Sequence, residues 1–526
     1  MASGTLTSSS SIAAGRLLSP NARAERLVHS LWLALSLVLS CLLAVTLIVT
    51  DGNVAAGAAL VLVYAVLSLT LFRIEWGFYI VIFAVLFFDQ HSVKYVMPFT
   101  GAANYFANIN LIPGMPRYMI VSLMELHIAF VVLVWAVRAA VDPEYGFMPV
   151  PMKVPAVLGF ASLLAASVHG LASGADPIVV VWEVRALLYL AILYWFTPQV
   201  IRTRSQLEVL VGVLIAGITI KAVQGAAYYA ANGFSFGVWP AIIETFTNHE
   251  DPLFMVLLFI LLGTFLVLGV KSRQKTALLA AFLPLVVGFI AGQRRATYAS
   301  GMASAVGVLF LLPSGPLRAA VKFLALFLVL FSLYTAAFWN SYSRLGYVAQ
   351  QFKSTVMDEP GVRGGKDVES TMYRKAENYN LAVTFRRAPF SGIGFGQAYD
   401  RPLRPWGGDF PLSEYIPHNQ IFWIFVKSGA VGGFFFWFFF NALVAQGSIV
   451  FHRMDDPYLK AVSAMCVISV INQMVVSYVD MQLTFSRNMI VLGTLMGVIQ
   501  ILDRWSKEKV HTTVHSFFNR RKDTRS

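Results

Sequence analysis

The sequence is poor in charge. Only 13% of its 526 residues are Asp, Glu, Lys or Arg, roughly half the share a soluble domain carries on its wetted surface. Cysteine is almost absent as well. Cys41 and Cys466 both lie inside apolar runs, which leaves no disulfide framework and no cysteine-based zinc site. The apolar runs are continuous and show no alternation of apolar and polar residues, so a transmembrane barrel is excluded.

Apolar side chains are abundant instead, at 57% of the chain, with a mean hydropathy of +0.67. Runs of membrane-crossing length recur from Val28 almost to Leu502. They predict an all-α polytopic membrane protein with about 14 transmembrane helices (12–14), at 28–50, 54–72, 75–88, 118–139, 154–171, 177–198, 207–231, 252–270, 277–292, 295–312, 317–338, 419–451, 459–480 and 486–502. The run at 419–451 is too long for one straight span. Its Gly429, Gly432 and Gly433 predict a short membrane-entering piece followed by the span proper. Residues 1–26 are rich in Ser and Ala, then basic at Arg16, Arg23 and Arg26, and read as a disordered cytoplasmic tail rather than a signal peptide.

Lysine and arginine set the orientation. With the N-terminus inside and fourteen crossings, Arg73, Arg138, Lys153, Arg202, Arg204, "KSRQK" (271–275), Arg318, His452 and Arg453 all fall inside, as does the basic tail at 503–526. Acidic "NHED" (248–251) falls outside. The net charge of +13 is therefore mostly topology, and a nucleic-acid partner is not implied. The domain plan is eleven spans over 27–338, a long external loop over 339–417 and three spans over 418–502. External loops of this length are usually functional. The stretch "ESTMYRKAENYNLAVTFRRAPF" has helical periodicity in Met372, Leu381, Val383 and Phe385, until "APFSGIGFG" ends it.

Several charges break the positive-inside pattern. Arg294 and Arg295 sit at outer span ends, and Arg487 faces Asp480 across a short turn. Glu125 with His127, and Glu183 with Arg185, lie inside spans near the outer leaflet. Ionisable groups in a membrane face a bundle interior or a watery cavity. Each pair reads as a structural bridge, Glu183 with Arg185 or Asp480 with Arg487. Their common depth also suits one shared polar cavity beside the long loop.

The most specific stretch is "YIPHNQIFWIFVKSGAVGG" (415–433), where His418 and Asn419 stand at the mouth of an apolar span, ten residues ahead of Gly429. "PFSGIGFG" precedes it, Arg374 lies in the helical part of the loop, and Arg295 stands at an outer span end. In this order the elements resemble the O-antigen ligase and O-antigen polymerase superfamily of bacterial membrane glycosyltransferases, over roughly residues 200–500.

That resemblance implies a GT-C-like fold in the bacterial inner membrane, with both termini cytoplasmic. It also implies an undecaprenyl-pyrophosphate-linked glycan donor and an acceptor sugar, on lipid A-core or another glycan. His418 then matches the general base, Arg295 the transmembrane arginine and Arg374 the loop arginine. Arg294 departs from the pattern, since a small uncharged residue usually precedes the arginine, so either Arg294 or Arg295 could meet the substrate. Asn419, Gly429, Glu183, Arg185 and Arg487 are expected to support the site.

The chemistry points the same way. A sugar hydroxyl must lose its proton as it attacks an anomeric carbon, and a neutral histidine can take it. Guanidinium forks grip a leaving pyrophosphate harder as its charge grows. No Asp-x-Asp motif stands outside, so no metal and no cofactor are expected. "GIGFG" lacks the Lys-Ser/Thr of a nucleotide phosphate loop and reads as a tight turn delivering His418 to the membrane surface. The resulting expectation is a ligase-like glycosyltransferase of cell-surface polysaccharide synthesis. A polymerase of lipid-linked repeats remains open, as does a non-enzymatic polysaccharide or lipid transporter, whose polar residues should favour the midplane.

Overall fold

The computed structural model describes residues 20–523 apart from 91–99, 101–103, 112–114, 117–118, 232–247, 293, 342, 358–364 and 405–411. Most of the leader at 1–26 therefore lies outside the described residues. Among the described residues the protein forms sixteen α-helices and no β-sheet. It is an all-α polytopic membrane protein. Eleven helices are long and apolar enough to cross a membrane. The other three expected spans are also helical but shorter, with 14 residues in α3 (Ile74–Phe87) and 17 each in α8 (Asp251–Val267) and α10 (Arg295–Leu311).

Two compact units divide the chain. The first takes residues 1–80 and 126–148. In it α1 (Pro20–Val49) packs on α2 (Val54–Phe72), where Ser36 and Tyr64 share a hydrogen bond at 3.0 Å. Asn53 starts α2 by accepting from the amides of Ala55 and Ala56, a cap worth about 1 kcal/mol.

The second unit, residues 81–125 and 149–526, holds everything that follows. Its helices begin where capping chemistry predicts. Asp176 caps α6 (Pro177–Val200) and Asp456 caps α15 (Pro457–Ser477), each with proline at the first helical position, where a missing N–H costs nothing. Helix α6 packs tightly along α16 (Ser486–Asp523). Gly493 and Gly497 make that approach possible, since a Cβ at either would press on the backbone of Leu190 or on Thr197. Small residues four apart are how helices approach closely where lipid removes the hydrophobic drive.

Helix α16 does not stop at 502 but continues to Asp523. No Pro or Gly interrupts "DRWSKEKVHTTVHSFFNRRKD", so the basic segment expected as a tail carries the helix on. The long connection before α14 (Gln420–Arg453) holds two helices, α12 (Tyr347–Val356) and α13 (Gly365–Arg387). Helix α13 covers the periodic stretch and ends just ahead of "APFSGIGFG". Leu381 is buried in it, whereas Met372, expected on the apolar face, is exposed.

Candidate functional site

His418 is held at the mouth of α14 by its neighbours on both sides. Asn419 caps the helix, its side chain accepting from the amide of Phe422 at 3.1 Å, and it also donates to Asn378 on α13 at 2.8 Å. Glu377, one residue back on α13, is fully buried and faces His418 with both carboxylate oxygens. One accepts the backbone N–H of His418 at 2.8 Å and the other lies 3.3 Å from its Nδ1. Tyr373, one turn earlier on α13, stands edge-on to the imidazole with ring centroids 5.3 Å apart. Residues three and four apart share a helix face, so Tyr373, Arg374 and Glu377 are presented together.

Three further chain segments converge on that face. Arg294 and Arg295 come from the start of α10, Asp480 from the turn between α15 and α16, and His249 from the segment leading into α8. The Arg374 guanidinium is pushed below its usual range by burial and by the charges of Arg295 and Arg294, while Asp480 and Glu377 oppose the shift. Burial alone would raise the Asp480 carboxyl. The charges of His249 and Arg294, a hydrogen bond from Gln482 and the charge of His418 carry it below the usual carboxylate range instead.

The cluster thus sets three guanidinium groups and two imidazoles against two carboxylates. Arg374 donates to Ser370 at 3.0 Å, and its Nε has no hydrogen-bond partner among the described residues. A buried, electropositive group with an unused donor is suited to an anion. Arg294 and Arg295 both act on Arg374, so the departure at Arg294 adds a cation to the cluster rather than displacing one.

The "PFSGIGFG" segment is a tight turn, with positive φ at Gly392, Gly394 and Gly396, and it has a task beyond the one expected. Helix α14 is broken at Gly429, whose φ of 70° and ψ of 179° are not helical. The break frees carbonyls, and the turn satisfies them: Ile393 donates to Val426 O at 3.0 Å and Gly394 to Lys427 O at 2.9 Å. Ala430 donates back to Pro389 O at 2.7 Å. Irregular backbone at membrane depth persists only where protein re-satisfies its polar groups. The turn is the plug of a broken membrane helix, and it also presses against α5 (Lys153–Ala172) through Gly394, whose φ is 85°.

The intramembrane charges Glu183, Arg185 and Arg487 are not paired as expected. Glu183 and Arg185 are two residues apart on α6 and point to different sides. Glu183 turns to Lys427 at 2.7 Å and to the amide of Gly396. Arg185 instead binds Glu125, Asn108 and Tyr189. Arg487 does not bridge Asp480. It reaches the start of α8, binding Glu250 at 3.0 Å and Asp251 at 2.8 Å, and it caps the carbonyls of Val85 and Leu86 at the end of α3. The structure brings His418, Asn419, Arg294, Arg295 and Arg374 together, while Glu183, Arg185 and Arg487 brace other helix junctions.

Sequence reasoning missed Glu377, Tyr373 and His249. Glu377 and Tyr373 could have been found from the helix period, since both fall on the face of α13 that carries Arg374. His249 gave no such signal, because it belongs to a short segment that only the tertiary fold brings to Asp480.

The model of the O-antigen ligase family matches residues 258–437, about a third of the chain. The matched stretch contains Arg294, Arg295, Arg374, Glu377, His418, Asn419 and Gly429. No curated protein matches the chain. The family match supports a membrane glycosyltransferase of the O-antigen ligase or polymerase type. The resemblance carried by the motifs is thereby shown: the protein bears an O-antigen ligase family domain, running from α8 into the second half of α14.

Proposed function

We propose that the protein is a ligase-like glycosyltransferase. It moves a glycan from undecaprenyl pyrophosphate to an acceptor sugar on the outer face of the bacterial inner membrane. The acceptor hydroxyl attacks the anomeric carbon from the side opposite the leaving group and gives its proton to His418. The bond from that carbon to the pyrophosphate oxygen breaks, and undecaprenyl pyrophosphate departs with the electron pair. Configuration at the anomeric carbon inverts. Arg294, Arg295 and Arg374 take up the charge that develops on the leaving phosphate.

The observation that carries this reading is that His418, at the mouth of α14, contacts Glu377 on the helix that also carries Arg374, on which Arg294 and Arg295 act electrostatically. A base and an anion clamp on one face are what glycosyl transfer from a lipid pyrophosphate requires. The proposed orientation has support from the opposite helix ends. Arg204 at the start of α7 (Arg204–Ala231) meets Asp456 at 2.5 Å. Gln274, in the "KSRQK" segment, meets Tyr458 at 2.7 Å. Segments read as cytoplasmic from their charge thus gather with one another, away from His418.

The test is to incubate purified protein with a synthetic lipid-linked glycan and candidate acceptors. Glycan on a distinct acceptor is the expected product. An elongated lipid-linked chain identifies a polymerase, and no transfer under any acceptor condition favours a transporter.

A further inference from the structure

Glu377 is a fully buried carboxylate in contact with His418, and both of its oxygens are engaged there. A carboxylate can accept from two donors at once, and here both candidate donors belong to the same residue: its backbone N–H and its ring Nδ1. We propose that Glu377 is the positioning residue of the site, fixing His418 in the tautomer that keeps its proton on Nδ1 and its lone pair on Nε2. The proposal rests on the reading of His418 as the base.

The geometry gives three consequences. With Nδ1–H committed to Glu377, Nε2 is the only ring atom able to take the acceptor's proton. Once that proton arrives, the imidazolium lies against a carboxylate that never enters solvent, so the charge formed in the transition state is already met. The second bond, to the main-chain N–H, ties the backbone of residue 418 to α13, and the Tyr373 ring limits rotation of the imidazole. Arg374 lies on the same helix one turn from Glu377, so base and clamp are set by one rigid element.

Glutamine cannot reproduce this. Its single carbonyl oxygen can serve the backbone N–H or Nδ1–H but not both. If the oxygen stays with the backbone, the amide NH₂ faces Nδ1 and forces the ring proton onto Nε2, the atom that must accept.

The charged and titratable groups bearing on His418 include Glu377 and Tyr373 from α13 and Asp480 from the turn before α16, the last itself under the charges of His249 and Arg294, and Arg374 and Arg295 stand in the same cluster. Without the carboxylate the plateau of the pH–rate profile should fall on the order of 10²-fold.

The experiment compares the parent, Glu377→Gln, Glu377→Asp and His418→Ala in detergent or nanodiscs. The readouts are donor-lipid affinity, the single-turnover rate against pH, and the ¹⁵N shifts of the His418 ring. Glu377→Gln should keep donor affinity, lose rate across the pH range and show the proton on Nε2. Glu377→Asp keeps both carboxylate oxygens but withdraws them by one methylene, so its rate should fall while the ring proton stays on Nδ1. If Glu377→Gln does not fold, Glu377→Asp decides, and a parental rate there overturns the proposal. A Glu377→Gln protein with parental plateau and tautomer also overturns it, provided His418→Ala is inactive. Normal turnover in His418→Ala removes the underlying reading of the base instead.

Discussion

Lys427 and Glu183 meet at 2.7 Å with neither side chain exposed, directly at the break in α14. Lys427 also donates to Gln397 O at 2.5 Å, and Glu183 accepts from the amide of Gly396 and from Trp423. The ion pair therefore clamps the glycine turn onto both α6 and α14.

A buried pair is costly to break and far less costly to replace whole. Glu183→Leu or Lys427→Met alone should destabilise by roughly 3–5 kcal/mol, because each strands a charge. The double substitution should recover most of that loss. Thermal unfolding of the four proteins in one detergent closes the cycle, and an additive double variant would show that the two residues do not share an interaction.

Gly429 has a second reason to resist change. At φ 70° a side chain is strained, and a Cβ there would collide with the carbonyl of Phe390. Gly429→Ala should destabilise by at least 1–3 kcal/mol, on the order of the strain alone. Differential scanning fluorimetry reads this directly. A midpoint equal to the parent's would mean that the turn does not plug the helix.

Arginine geometry predicts the behaviour of the clamp. Arg374→Lys and Arg295→Lys keep the charge but lose the planar fork, so each should weaken donor binding and slow turnover. Combined, they should be less than additive if both grip one phosphate group. Arg294→Lys should resemble them, because Arg294 acts on both Arg374 and Asp480. Donor titration with a fluorescent lipid pyrophosphate measures each. With guanidinium groups supplying the countercharge, turnover should also survive chelation. Loss of activity in EDTA and its return with magnesium or manganese would indicate a carboxylate-held cation, with Glu414 or Asp409 as the residues to substitute. Glu414 is exposed and lies 3.7 Å from Arg401, and Asp409 is outside the described residues.

Sidedness is open to direct labelling. In a protein whose Cys41 and Cys466 are replaced by serine, a cysteine at exposed Arg404 should react with an impermeant maleimide in intact cells. One at Lys271 should react only after permeabilisation. The reverse pattern would invert the orientation and move His418 to the cytoplasmic face.

The helices were legible because hydrophobic run length is a local signal, and the break at Gly429 was legible because three glycines interrupt a run too long for one span. Motif order singled out His418, Arg295 and Arg374. The pairing of buried charges was not. Glu183 and Arg185 stand side by side in sequence, yet a helix turns neighbours two apart away from each other, and their partners Lys427 and Glu125 come from distant segments. Arg487 misled for the opposite reason. Asp480 is near it in sequence, but the carbonyls of α3 and the carboxylates of α8 offered it more partners.

The account turns on His418 as the proton acceptor, and one comparison tests that most directly. Donor affinity and single-turnover rate are measured side by side for the parent and His418→Ala. A neutral imidazole contributes little to holding a pyrophosphate, so donor binding should be nearly unchanged while the rate falls by roughly 10² to 10⁴. A His418→Ala protein that turns over at the parental rate would contradict the mechanism.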